Sequence, residues 1–252
     1  MLLSDNLNSE NVGIIVLLES MNDRLPKKTI CVATTHILFN PKRGDCKLAQ
    51  LIYLLASIDR MAFRGLELNE KKARYHPTII CGDFNLAYKS VLYNFLRSSQ
   101  LPNYREYNRC LMSGQLETSA QESFIEGSLL PESLGISDKS QFKSENERRL
   151  LTNKPDLFGG ETLEHPFSLH SVYKHYNKIR NDYEITTCLR DSKKTVDYIL
   201  YHSELDQDIN EEELNLVARL ELFHEAQVAN FFLPSRYFPS DHFMLGAKFC
   251  LD

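Results

Sequence analysis

An apolar, β-branched run that stops abruptly at Gly-Asp-x-Asn constrains this chain more than any other stretch: Thr78-Ile79-Ile80-Cys81-Gly82-Asp83-Phe84-Asn85. Its residues are those of a buried strand, and a helical pattern follows from Ser90. A strand that leads into a helix places the segment in an α/β fold, where ligands sit outside the carboxyl ends of strands. Asp83 and Asn85 are two residues apart, so both project from one side of an extended backbone at that edge. Asp83 then reads as a base and Asn85 as a positioning group. The competing reading is a solvated turn, because Gly, Asp and Asn are the common turn residues. Other stretches decide between the two.

Asn11 to Glu19 (NVGIIVLLE) is continuously apolar and predicts a strand buried on both faces. Thr29 to Phe39 is a second strand with His36 near its end. Asn40 to Gly44 is a loop, and Asp45 reads as the N-cap of a helix that carries Leu48, Leu51, Leu55 and Ile58 on one face and stops near Gly65. The strand Thr78 to Cys81 follows, so the order strand, helix, strand predicts a right-handed crossover between parallel neighbours. Ser90 caps a short helix with Val91, Leu92, Phe95 and Leu96. From about 108 to 165 the chain turns to Ser, Glu, Lys, Gly and Pro with no sustained periodicity. That composition predicts a disordered or loosely docked insertion, which could receive a protein partner.

Order resumes at Phe167 to Leu169, Val172-Tyr173, Ile185 to Leu189 and Thr195 to Tyr201 (TVDYILY), the last with Asp197 inside an apolar strand. Asp206 to Glu213 is acidic and reads as a solvated loop. Leu214 to Phe232 fits a strand plus a helix or a single helix equally well. Arg236 to His242 precedes a final strand, Phe243 to Leu251.

Length and a hydrophobic content of 42% suit one domain with a substantial core. The net charge of −5 excludes a broad basic surface for nucleic acid, so such a substrate must be gripped locally, at a metal site or a cluster such as Lys42-Arg43. The 6 cysteines form no CxxC pair, and Cys31 and Cys81 lie in apolar strands, which predicts reduced thiols and a cytoplasmic location, with the nucleus as the alternative. Val12 to Leu18 is too short to span a bilayer, and no basic segment precedes it, so no membrane association is expected.

His36, Asp83, Asn85, Asp197, Asp241 and His242 all fall in or at the ends of predicted strands. Asp197, flanked by Val196 and Tyr198-Ile199-Leu200, points inward and needs a charged or hydrogen-bonding partner. Carboxylates, an amide and two imidazoles at strand ends are what metal-assisted phosphoester hydrolysis requires.

In this order, His36, Gly82-Asp83-Phe84-Asn85, Val196-Asp197-Tyr198-Ile199 and Ser240-Asp241-His242 resemble the exonuclease/endonuclease/phosphatase superfamily. Thr35-His36-Ile37-Leu38-Phe39-Asn40-Pro41-Lys42-Arg43-Gly44-Asp45, and Thr186-Thr187-Cys188 followed by Thr195 to Tyr198, resemble its Angel proteins, relatives of the nocturnin-type deadenylases. The resemblance implies an α/β sandwich of two packed mixed sheets flanked by helices, Mg²⁺ (Mn²⁺ as the alternative) as cofactor, and RNA as substrate. It implies that His36 contacts the scissile phosphate, Asp83 orients or deprotonates the attacking water and Asn85 holds it. It further implies that Asp197 orients His242, which stabilises the phosphoryl oxygens, and that Asp241 lies at the metal.

The family domain opens with a strand bearing an active-site Asn and a Gln-Glu step whose Glu binds the metal. Neither occurs here, and Glu10 and Glu19 lack the matching context. The expectation is therefore one partial domain over 1–252, without its amino-terminal portion. Two functional readings follow. One is an Angel-type RNA phosphoesterase, removing 2′,3′-cyclic phosphate from RNA ends or acting as a 3′-exonuclease or deadenylase. The other is an inactive truncated product that binds RNA or a partner.

Overall fold

Two hydrophobic runs separated by a long helix come together as neighbouring parallel strands, and the rest of the fold is layered on that pair. The computed structural model describes residues 11–21, 27–67, 72–119, 121–144, 161–179, 181–202 and 214–251. The chain runs through β1 (Gly13–Glu19) and β2 (Thr29–His36), helix α1 (Gly44–Ala62), the hairpin of β3 (Phe63–Glu67) and β4 (Lys72–Tyr75), and then β5 (Thr78–Asp83). After helix α2 (Val91–Ser98) come β6 (Gln100–Pro102), β7 (Thr162–Glu164) and β8 (Leu169–Ser171). Two small hairpins follow, β9 (Tyr176–Asn177) with β10 (Asp182–Tyr183) and β11 (Thr187–Leu189) with β12 (Ser192–Lys194). The last strands are β13 (Asp197–His202), β14 (Leu214–Arg219) and β15 (Ala247–Leu251).

Strands β1-β2-β5-β13-β8, in that order, make a five-stranded mixed sheet. Only β2 and β5 run parallel; β1 is antiparallel to β2, and β13 to both its neighbours. Side chains alternate between faces along each strand. Cys31, Ala33, Ile80, Tyr198 and Leu200 therefore join the core under α1 and α2, whereas Ile199 and Tyr201 pack against the β14–β15 pair on the opposite face. The expected α/β architecture, with a second sheet laid on the first, is the one observed.

Helix α1 forms because Leu48, Leu51, Ile52, Leu55 and Ile58 recur at helical spacing and are all fully buried. Each such burial stabilises by roughly 1.5–3 kcal/mol. Asp45 is not its N-cap. Arg43 holds that position, and Asp45 lies in the first turn, paired with Arg43 at 2.9 Å and Arg109 at 3.3 Å. The helix ends at Ala62, before Gly65, because Phe63 already pairs with Tyr75 in the hairpin. The Ser90 cap on α2 is as expected, its hydroxyl oxygen accepting from the Tyr93 N–H at 3.2 Å.

Three expectations are corrected. β1 is not buried on both faces. It sits at the sheet edge beside β2, with Ile14 61% and Leu18 52% exposed. A continuous apolar run cannot by itself distinguish two-face burial from an edge strand. β2 ends at His36, not Phe39: the Ile37 N–H still donates to the Asp83 carbonyl at 2.9 Å, but the Leu38 N–H turns away to Gln50 Oε1.

The third concerns 108–165. Its described residues are packed, not disordered: Met112, Leu129, Leu130, Ile136 and Leu163 join the main core, and Ser137, Ser140 and Gln141 are buried. Isolated apolar anchors, each held by local turns rather than by a periodic face, do this packing. Residues 145–160, and the acidic run 206–213, lie outside the described residues. The region 214–232 resolves as strand β14 and a short 3₁₀ turn, Glu225–Val228. Among the described residues no helix is long and apolar enough to cross a membrane.

Candidate active site

The register of the sheet assembles the site. His36 is paired with Asp83 across β2 and β5, and Asp83 with Asp197 across β5 and β13, so three predicted residues stand on one rung. Residues directly opposite in a sheet project from the same face. This rung lies where β2 and β5 end and β13 begins. Gly82 makes the close approach there: its φ is +138°, and a Cβ would sit 1.9 Å from the Thr35 carbonyl oxygen.

His242 arrives from the loop before β15 and is tied down by Thr186 and Thr187. Phe243 N–H donates to the Thr186 carbonyl at 2.7 Å, and the Thr187 hydroxyl donates to the Asp241 carbonyl at 2.8 Å. Thr186 also accepts, through its hydroxyl oxygen, from the N–H groups of Val196 and Asp197. The two threonines thus clamp the His242 loop to the start of β13.

His242 Nδ1–H donates to Asp197 Oδ2 at 2.8 Å, so the half-buried carboxylate has the partner its sequence context demanded. The ring's other nitrogen, Nε2, lies 4.0 Å from Asp83 Oδ2 and 3.9 Å from Asp241 Oδ2. His36 Nε2 is 3.4 Å from the same Asp83 oxygen, and its side chain is 63% exposed. Asp83 Oδ2 therefore lies between two imidazoles.

Asp83 has its carboxyl pushed above the usual carboxylate range, first by burial and then by the charge of Asp197, against the Asn85 N–H and the two histidines. His242 is also raised, chiefly by its hydrogen bond to Asp197, with the three carboxylates adding to it and burial opposing.

Asn85, expected to hold the attacking water, is bonded within the protein itself. It is buried at 3% exposure in the left-handed region (φ 50°). Its backbone N–H donates to Asp83 Oδ1 at 2.9 Å, its side-chain N–H to the Ile37 carbonyl at 2.9 Å, and its amide oxygen accepts from Gln115 Nε2 at 3.3 Å. In this arrangement Asn85 orients the Asp83 carboxylate and joins the ends of β2 and β5.

Sequence reasoning missed what lies beneath it. Lys47, fully buried on α1, donates from Nζ to the Asn85 carbonyl at 2.7 Å and to Gln115 Oε1. Its signal was present: Lys47 stands on the stripe of Leu51, Leu55 and Ile58, where a charge needs a buried partner. Burial pulls its pKa down to about 7, with Asp83 opposing.

The folded protein thus gives up a proton that the unfolded chain keeps up to the ordinary lysine value of 10.5. Stability is expected to rise between these two values, by at most about 1.4 kcal/mol per pH unit. Urea midpoints measured across that range should show the rise in the wild type and its loss in Lys47→Met. An unchanged slope in the variant would refute the assignment.

Asp83, Asp197 and His242 each bring one donor atom within 4.8 Å of the others, the one such group found among the described residues. Asp197 is engaged by His242. Asp83 and the exposed Asp241 are then the carboxylates turned toward any cation. A hard divalent ion such as Mg²⁺ is commonly held by one or two carboxylates, with water and substrate phosphate completing its shell, so the donor set fits.

No family model matches the chain. Sequence comparison finds it 35% identical over 258 residues to protein angel homolog 2 of Danio rerio, over 97% of this chain and 44% of that protein. It is 30% identical over 315 residues to protein angel homolog 1 of Homo sapiens, over 98% of this chain and 46% of that protein. It is also similar to the crystal structure of ANGEL2, a 2′,3′-cyclic phosphatase, in complex with adenosine-2′,3′-vanadate. The TM-score is 0.78 at 35% identity, over 97% of this chain and 62% of that one. The chain spans about half the length of the curated relatives it matches.

Proposed function

The chain belongs to the Angel family of the exonuclease/endonuclease/phosphatase superfamily, and from that membership we propose that its site serves an RNA phosphoesterase that removes 2′,3′-cyclic phosphate from RNA ends. The observation that carries the reading is the Asp83 oxygen set between His36 and His242, with Asp197 fixing the second imidazole. The similar ANGEL2 is described as a 2′,3′-cyclic phosphatase, and its complex holds adenosine-2′,3′-vanadate, which supports the choice of substrate.

Asp83 takes the proton of the attacking water. Its raised pKa brings it closer to working pH and makes it a stronger base than an ordinary aspartate. Water oxygen bonds to phosphorus, one ring P–O bond opens, and the departing ribose oxygen takes its proton from solvent; a second water then displaces the other ribose oxygen, which is protonated likewise as inorganic phosphate leaves. His242, whose charged form Asp197 favours, donates from Nε2 to a phosphoryl oxygen when protonated, and His36 contacts the phosphate from the exposed side. Asn85 holds Asp83 in place through its backbone N–H. Bound Mg²⁺, or Mn²⁺, would neutralise charge building on the phosphate, and Asp241 would hold it, leaving Asp83 to the water. The cysteines of the described residues, four of them buried, are reduced, which supports a reducing location, cytoplasm or nucleus.

The test uses the complete polypeptide that carries these residues. RNA ending in a 2′,3′-cyclic phosphate should lose that phosphate and be left with a free 2′,3′-diol, with activity lost on chelation and restored by Mg²⁺. Shortening of poly(A) with the cyclic end untouched would favour the deadenylase reading, and no hydrolysis of either would favour a binding module.

The pH profile gives a sharper check. Activity should rise as Asp83 loses its proton and fall as His242 loses its own. Asp197→Asn removes the carboxylate that favours the imidazolium, so the alkaline limb should move to lower pH. An alkaline limb that stays in place would detach Asp197 from His242. The same raised pKa contributes folding stability below the unfolded histidine value, and that contribution is lost as pH rises through the folded one.

A further inference from the structure

Beyond Asn85 the loop carries Tyr88 and Lys89 to the rim of a cleft of about 1080 Å³, bounded by α2, β8 and the β9–β10 hairpin. In a chain of net charge −5, five cationic side chains face this cleft against two carboxylates. One of those carboxylates, Glu184, is already paired with Arg219 at 2.8 Å. That takes Arg219, and Arg97 donates to the Leu169 carbonyl, which leaves Lys89, Lys174 and Lys178, all exposed, to a ligand.

The walls are aromatic. Tyr93 and Tyr173 are buried, whereas Tyr88, packed on Tyr93 and His175, and Tyr176 are half-buried and line the cleft. Tyr183 touches both, with ring centroids 6.5 Å from Tyr88 and 4.9 Å from Tyr176. The Lys89 ammonium stands 5.3 Å from the Tyr88 centroid and 5.6 Å from that of Tyr176, on a backbone with φ 64°, uncommon for lysine.

We propose that this cleft binds the single-stranded RNA that leads to the reacting end, with bases stacked on Tyr88 and Tyr176 and phosphates paired with Lys89, Lys174 and Lys178. Open aromatic faces alternating with cations are the means by which proteins hold single strands without reading sequence. An acidic peptide would use the charge but not the ring faces. The cleft is tied to the chemistry by a short segment: Tyr88 follows Asp83 by five residues, which puts it at most about 18 Å away. The inference deepens the RNA phosphoesterase reading and rests on it for the identity of the ligand.

Binding of a fluorescent single-stranded RNA of about 10 nucleotides, followed by anisotropy, tests the proposal in the full polypeptide. Tyr176→Ala should weaken binding about fivefold or more, from the loss of one stacked base, and Tyr176→Phe should not. Joint Lys174→Gln and Lys178→Gln should flatten the dependence of affinity on salt. Hydrolysis of a mononucleoside 2′,3′-cyclic phosphate should stay at the wild-type rate in all three variants. RNA binding that survives Tyr176→Ala and the lysine changes, or binding of an acidic peptide in place of RNA, would overturn the proposal. RNA binding lost in Tyr176→Ala, in a protein that hydrolyses no cyclic phosphate, would uphold the cleft and refute only the reading of the active site.

Discussion

Asp83→Asn is expected to lower hydrolysis of cyclic-phosphate RNA by about 10²–10⁴-fold, the usual cost of losing a general base, while substrate affinity stays close to that of the wild type. The amide has the size of the carboxylate and its oxygen can still accept the Asn85 N–H that Asp83 Oδ1 accepts now. What it cannot do is take a proton from water at the position of Oδ2, between His36 and His242. The acid limb of the pH profile should vanish with the group that causes it. Single-turnover rates beside equilibrium binding separate the two effects. A loss of rate below about tenfold would remove Asp83 from the role of base.

Gly82→Ala is expected to cost roughly 3–5 kcal/mol of stability, combining backbone strain with overpacking. The new Cβ would meet the backbone of Thr35, its carbonyl oxygen at 1.9 Å and its nitrogen and carbonyl carbon at 3.0 Å, and φ is already +138°. No side chain can swing aside to make room. Relief requires β2 and β5 to part, and Thr35–Gly82 is the pair next to His36–Asp83. Activity should fall with stability. Urea unfolding should show a lower midpoint at unchanged slope. A change within about 0.5 kcal/mol, as for an ordinary surface site, would mean that the glycine is not what allows the strands to close.

The residues that met in the site were legible because their constraints are local. A β-branched run ending in Gly-Asp-x-Asn is a strand and then a turn whatever lies beyond it, so β5 ends at Asp83 as its composition requires. Ser90 caps α2 because a cap involves only the next three residues. Asp197 within TVDYILY announced a buried carboxylate in need of a partner, and the ordered motifs put His242 forward as that partner.

The packed stretch at 108–144 and the edge position of β1 were not legible, because each depends on residues far away in the chain. Met112 and Leu129 are single apolar residues in a polar stretch, and only the cavity waiting for them makes them core. Gln115 looks like an ordinary turn residue until it is seen bonded to Asn85 and Lys47, separated from it by 30 and 68 residues. The aromatic cleft is drawn from α2, β8, the β9–β10 hairpin and the end of β14, and no one segment shows it.

The sequence by itself determined where the β5 run stops, the Ser90 cap of α2 and the chemical identity of the acid–imidazole set, since these follow from backbone sterics and from the cost of burying an unpaired charge. Tertiary structure decided the rung that aligns His36, Asp83 and Asp197, the Lys47–Gln115 brace beneath Asn85, and the cleft beyond Tyr88. Those depend on which distant segments close upon one another, and that is set by the summed packing of the whole core rather than by any neighbour along the chain.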